Sequence, residues 1–184
     1  MIVSRVKLAF ATLLFLAACS TVPPPPPPHR GFTPEQEAVL RANGFTPKGD
    51  EWEFGIADRF LFATDESRLI DTQKDALAHT AAALVKVEIL GARVEGHTDK
   101  TGRAAYNEAL SFRRATAVAA ALAQGGMHPD RLIAQGLGSR FPVENNATSA
   151  GRRENRRVAI IVAPEPDPSS ADGKPPRASA RPRP

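Results

Sequence analysis

A single cysteine, Cys19, stands among 184 residues, so no intrachain disulfide can hold the fold. No apolar run reaches the ~20 residues of a membrane-spanning helix; the stretch from Leu8 to Leu16, with the Ala17-Ala18-Cys19 that follows, is well short of that length. No charge of one sign dominates the middle of the chain, since residues 31–163 carry 17 Lys/Arg and 17 Asp/Glu. The formal net charge of +4 and the pI near 9.6 therefore come from the ends, which removes the case for a nucleic-acid partner. No His-Glu-x-x-His and no Gly-x-Ser-x-Gly occurs. His97 has no partner at metal-ligand spacing among His29, His79 and His128, and Ser111 has no nucleophile elbow around it. No metal and no cofactor is expected, and the enzyme hypothesis is the weakest one. A hydrolase would need a metal set, a Cys–His pair or a carboxylate dyad.

What is present begins with a targeting segment. Arg5 and Lys7 precede the apolar stretch, which ends in Leu16-Ala17-Ala18-Cys19. This is the layout of a secretory signal, and it looks like a bacterial lipobox. The resemblance implies cleavage before Cys19 and lipidation of its sulfur. An incidental cysteine in an ordinary signal is the plainer alternative, but the only cysteine falls where a lipobox needs it. Ser20 follows, and by analogy with lipoprotein sorting a residue other than Asp there favours the outer membrane. Pro23 to Pro28 are six consecutive prolines, a polyproline II rod of roughly 19 Å that sets the following domain off the membrane. An SH3-type ligand is the poorer reading outside the cytoplasm.

Residues 31–163 are long enough to bury a core without metal or disulfide. Thr33-Pro34-Glu35-Gln36 starts a helix running to Ala42, and Asn43-Gly44 stops it. Alternation predicts one or two strands over Trp52 to Phe62, a helix over Asp65 to Val85 and a strand over Ile89 to Glu95. A long helix follows over Arg103 to Gln124, then strands over Leu132 to Gly136 and Arg156 to Val162. The order β-α-β-α-β-β predicts a two-layer α/β (α+β) sandwich, both long helices on one face of a mixed sheet, plus the short N-terminal helix. From Pro164 the chain loses apolar periodicity and reads as a disordered basic tail; contact with anionic wall polymer is its functional alternative.

The chemistry concentrates in Gly96-His97-Thr98-Asp99-Lys100-Thr101-Gly102, followed by Asn107 and by Leu110-Ser111-Phe112-Arg113-Arg114-Ala115. A loop with a carboxylate and backbone N–H groups feeds a helix with an arginine, which suits a zwitterion. Residues 107, 111 and 114 share one helical face, so Arg114 looks toward the loop of Asp99. On spacing alone, Asp99 reads equally well as a structural residue, a helix cap or a plain salt bridge to Arg114, and as a ligand-binding acid. Arg113 reads as a solvated neighbour. One of Arg156 and Arg157 supports the site, without the sequence saying which, and His97 hydrogen-bonds within its loop.

These blocks, with Phe62, Ser67, Gly136-x-Gly138, Pro142 and Gly151-Arg152-x-x-Asn155-Arg156-Arg157-Val158, resemble the OmpA-like peptidoglycan-binding domain over about residues 54–162. The resemblance implies a β/α sandwich whose ligand is the diaminopimelic acid of the peptidoglycan stem peptide. It also implies that Asp99 accepts the ligand ammonium and Arg114 binds a ligand carboxylate. Thr101 and Gly102 offer N–H groups, and Asp65, Asn107 and Leu110 flank them; Asp65 stands where some relatives have asparagine.

Leu40-Arg41-Ala42-Asn43-Gly44-Phe45 and Trp52-Glu53-Phe54-Gly55 further resemble the YfiB-type lipoproteins. That group sequesters a small periplasmic repressor, YfiR, and so releases a diguanylate cyclase and raises cyclic di-GMP. Leu40, Phe45 and Trp52 match its partner-contact region; a satellite core under the N-terminal helix explains them equally well. The implied organisation is a signal peptide over 1–18, a lipidated linker over 19–32, and a helix with partner segment over 33–53. The OmpA-like domain follows over 54–163 and the tail over 164–184. A Pal-like tether between outer membrane and wall is the alternative to a regulator, and a homodimer stays open.

Overall fold

A computed structural model describes residues 31–63 and 65–164. The signal segment, Cys19, the proline run and the tail lie outside the described residues. The first helix, α1 (Pro34–Ala42), forms where expected. The Thr33 hydroxyl accepts the Gln36 N–H at 3.2 Å, and the Gln36 side chain accepts the Thr33 N–H at 2.9 Å. Two strands follow, β1 (Thr46–Lys48) and β2 (Glu51–Ala57), and then a 3-10 turn over Asp58–Phe60. The chain continues as α2 (Asp71–Val85), β3 (Ala92–His97), α3 (Ala104–Gln124), β4 (Leu132–Gly138), α4 (Ser149–Asn155) and β5 (Arg157–Val162).

The five strands form one mixed sheet in the order β1-β2-β5-β3-β4. β3 and β4 are parallel, joined by the α3 crossover, while the last strand inserts between β2 and β3, antiparallel to both. The expected two-layer α+β architecture is the one observed. Alternation sends Trp52, Phe54, Ile56, Val94, Val158, Ile160 and Val162 to the helix side of the sheet, against Leu77, Ala81 and Leu84 of α2 and Ala115, Val118 and Leu122 of α3.

Several expectations change in detail. α2 begins six residues later than expected, because Asp65 takes a left-handed backbone (φ 61°) and Leu69 is buried from a loop. The apolar spacing there serves the core without a helix. The strand expected to reach Phe62 ends at Ala57 in the 3-10 turn. Neither β1 nor α4 is anticipated: β1 is exposed throughout and has no alternation, and α4 is polar and capped by Thr148, whose hydroxyl accepts the Gly151 N–H at 2.9 Å. The three residues placed at a partner surface lie instead in the core, Leu40 at 0%, Phe45 at 3% and Trp52 at 5% exposure. Burial of about that completeness favours the satellite-core reading, in which they fix α1 and the β1–β2 hairpin to the sheet.

Gly96 and Gly136 set the distance between α3 and the sheet. A Cβ on Gly96 would lie 2.0 Å from the Ser111 carbonyl oxygen, and one on Gly136 would lie 2.5 Å from that of Glu108. Only bare backbone lets the first turns of α3 lie directly on β3 and β4, at the end of the sheet where the motif residues gather.

Candidate functional site

The loop after β3 is tied down from three sides. Thr98 N–H donates to the Gly138 carbonyl at 2.9 Å, and Asp99 Oδ1 accepts the Thr101 N–H at 2.8 Å. Asn107, buried on α3, donates through Nδ2 to the Thr101 carbonyl at 2.8 Å and the Asp99 carbonyl at 3.3 Å. Ser111 Oγ donates to the Glu108 carbonyl at 2.9 Å and accepts the Gly138 N–H at 3.0 Å, so its hydroxyl is occupied in joining helix to strand. Leu110 is buried beside these groups.

Arg114 is nearly enclosed, at 4% exposure. Its Nε donates to the Glu66 carbonyl at 2.8 Å, its Nη1 donates to Asp58 Oδ2 at 3.0 Å, and its guanidinium carbon lies 5.1 Å from the Phe62 ring centroid. Nη2 makes no hydrogen bond among the described residues. Arg114 and Asp99 thus share a site without forming the salt bridge considered from sequence. The partner of Asp99 is Arg156, whose Nη1 donates to Oδ2 at 2.7 Å while its Nε sits 3.5 Å from Asp58 Oδ2. Burial would raise the Asp99 carboxyl, but the Arg156 guanidinium and the Thr101 N–H hold it below its ordinary value and keep it ionised.

The start of α3 is open. Arg103, at its N-cap, makes no capping hydrogen bond, and no acid occupies the first turn. Gly102, exposed at φ 86°, makes no amide hydrogen bond among the described residues. The Thr101 amide, expected to face a ligand, is already given to Asp99. Asp65 lies exposed across the site and accepts the Tyr106 hydroxyl at 2.6 Å. Arg113 is exposed, as expected.

His97 departs from expectation. As the last residue of β3 its side chain lies on the sheet face away from α2 and α3, with Nε2 3.4 Å from Glu95 Oε2 and no hydrogen bond to the loop. Glu95 in turn accepts Arg93 Nε at 3.0 Å, and Arg93 binds both carboxylate oxygens of Glu51 at 3.1 and 3.0 Å. Among the described residues no group of three His, Cys, Asp or Glu side chains could hold a metal ion, and no helix is long and apolar enough to cross a membrane.

Asp58 is the site residue that sequence reasoning missed. Its one signal is an acid closing an otherwise apolar alternation at Ile56-Ala57-Asp58.

The fold and this cluster define a class. The model of the OmpA family matches residues 61–156, and the chain belongs to that family. Within it, the chain is 44% identical over 156 residues to the outer-membrane lipoprotein YfiB of Pseudomonas aeruginosa, covering 85% of this chain and 90% of that protein. It is 42% identical over 132 residues to the putative lipoprotein YfiB of Escherichia coli K12, covering 71% and 82%. Among solved structures it superposes on the cell wall anchor of the T6SS from Pseudomonas aeruginosa with a TM-score of 0.60 and 31% identity, covering 72% of this chain and 99% of that one. These likenesses agree with the lipobox and place the chain among outer-membrane lipoproteins of a structural or binding family.

Proposed function

We propose that this lipoprotein binds peptidoglycan without covalent chemistry, at the diaminopimelate of the stem peptide. The observation that carries the reading is a desolvated acid and a desolvated arginine in one site, with Arg114 Nη2 unbonded among the described residues and the start of α3 uncapped. Asp99 takes the ligand ammonium, and Arg114 with the Gly102 amide takes its carboxylate. Asn107 and Leu110 hold the loop and helix that present them, and Asp65 and Thr101 border the entrance. Cys19 carries the acyl chains that hold the domain to the outer membrane, at ~0.8 kcal/mol per buried methylene. Similarity to a cell wall anchor supports the reading. Sedimentation of the mature chain, left unacylated by Cys19→Ser, with purified peptidoglycan tests it. Binding is expected for this form and is lost in Asp99→Ala or Arg114→Ala with the fold intact; retained binding in both variants overturns the pair.

Likeness to YfiB over most of both chains favours a signalling role, the binding of a periplasmic repressor of the YfiR type that controls a diguanylate cyclase, over a Pal-like tether. A cyclic di-GMP level that does not respond to overproduction of this lipoprotein leaves the tether. Since Leu40, Phe45 and Trp52 serve the core, a partner meets the surface around α1 and the hairpin and not these side chains in their packed state.

A further inference from the structure

The order of strands places two carboxylates on either side of one arginine. Arg157 opens β5 and pairs with Ala57, the last residue of β2, on one side and with His97, the last residue of β3, on the other. One residue farther out, the Asp58 N–H donates to the Arg156 carbonyl at 3.0 Å, which closes the ladder and fixes the two side chains as neighbours. Asp58 therefore leaves the end of β2, Asp99 leaves the loop after β3, and Arg156 enters between them. Arg114 comes from the helix layer to the same Asp58 oxygen that Arg156 approaches.

The result is an alternating row, Asp99–Arg156–Asp58–Arg114, with contacts of 2.7, 3.5 and 3.0 Å. Its formal charge is zero. Asp58, Asp99 and Arg114 are buried, and only Arg156, whose side chain is 34% exposed, reaches well into solvent. A buried row of this kind tolerates a ligand that leaves it neutral and resists one that adds a single charge, because an unpaired charge in a desolvated site is costly.

We propose that Asp58 and Arg156 are positioning residues that set the charge selectivity of this site, restricting it to ligands that bring an ammonium and a carboxylate together. Arg156 lies against Oδ2 of Asp99, the oxygen not taken by the Thr101 N–H, and repels an ammonium arriving alone. Asp58 consumes one Nη of Arg114, offsets half the charge of the arginine pair and repels a carboxylate arriving alone. A ligand carrying both groups satisfies Asp99 and Arg114 Nη2 at once. This inference rests on the wall-binding reading above and concerns two residues that the reading itself does not use.

The test uses the mature unacylated chain and three soluble muropeptides, measured by titration calorimetry. The first carries diaminopimelate, with both groups. The second carries lysine at that position, with the ammonium alone. The third carries diaminopimelate acetylated on its distal amine, with the carboxylate alone. The wild type is expected to prefer the first. Asp58→Asn leaves the row one charge positive and shifts the ratio of the third to the second by about tenfold toward the carboxylate ligand. Arg156→Gln leaves it one charge negative and shifts the ratio by about tenfold the other way. The double variant restores neutrality and returns the ratio to near the wild-type value.

Shifts of opposite sign, cancelled in the double variant, are not produced by a merely structural role. Equal weakening of all ligands in both single variants, or shifts in one direction, overturns the proposal while leaving wall binding in place. If Asp58→Asn does not fold, Arg156→Gln against the charge-conserving Arg156→Lys decides, since only the first should move the ratio. A wild type that binds none of the three overturns the wall-binding reading and this inference with it.

Discussion

At the residue scale, burial separates two kinds of polar side chain in this domain. Asn107 and Ser111 are buried and their hydrogen bonds are internal, so they shape the site from beneath. Arg114 is equally buried but keeps one nitrogen unbonded among the described residues, as the proposed contact with a ligand carboxylate requires. The two kinds answer differently to truncation. Ser111→Ala strands the Gly138 N–H and is expected to cost ~1–3 kcal/mol in urea unfolding, with wall affinity following only as far as the loop loosens. The apolar residues of the N-terminal segment are a third kind. Trp52→Ala removes a nearly enclosed ring, expected to cost ~3–5 kcal/mol. A midpoint unchanged from wild type would show that the ring is not packed as described.

At the element scale, α3 joins fold to site. Its first turns rest on two glycines, and its face carries Asn107, Ser111 and Arg114 to the loop after β3. Gly96→Ala puts a methyl against the Ser111 backbone and pushes the helix outward; overpacking of that kind costs ~1–3 kcal/mol or more. It is expected to lower the thermal midpoint and the wall affinity together, because Arg114 moves with the helix. Elements with a strong period are legible in the sequence: α1 from its cap and stop, α3 from its length, β5 from Val158-Ala159-Ile160-Ile161-Val162. Those that fail lack one. β1 alternates nothing, α4 is polar on every side, and Leu69 keeps a helical spacing to Leu77 and Leu84 while Asp65 turns the backbone left-handed.

At the scale of the whole molecule, the sheet face away from α2 and α3 carries a second row of charge, Glu51–Arg93–Glu95–His97, which ties stability to pH. Burial lowers the affinity of His97 for a proton below the ordinary 6.5, outweighing the pull of Glu95. Burial alone would raise Glu95, but His97 and Arg93 together bring it down from 4.5 to about 2. Both shifts have the same sign, since in each case the unfolded chain binds the proton more readily than the folded one. The stability these two groups contribute is therefore fully present above pH 6.5, falls first as pH drops below 6.5, and falls further between 4.5 and about 2. Chemical unfolding at stepped pH is expected to show both limbs, with His97→Gln removing the upper one and Glu95→Gln the lower. A flat profile from pH 7 to 2 would show that these groups do not titrate with folding.

The sequence by itself determined the layered α+β architecture, the helix that bears Arg114 and the loop that bears Asp99. Each of these is written in local signals: hydrophobic period, caps, glycine and proline. The tertiary structure alone decided which arginine holds Asp99. Strand order is a property of the closed sheet. Because β5 inserts between β2 and β3, Arg156 comes to lie between Asp58 and Asp99, although 98 and 57 residues of chain separate it from them. No local pattern encodes that meeting. The energy that fixes it is the burial of Val158, Ile160 and Val162 in the middle of the sheet, far from the charges it brings together.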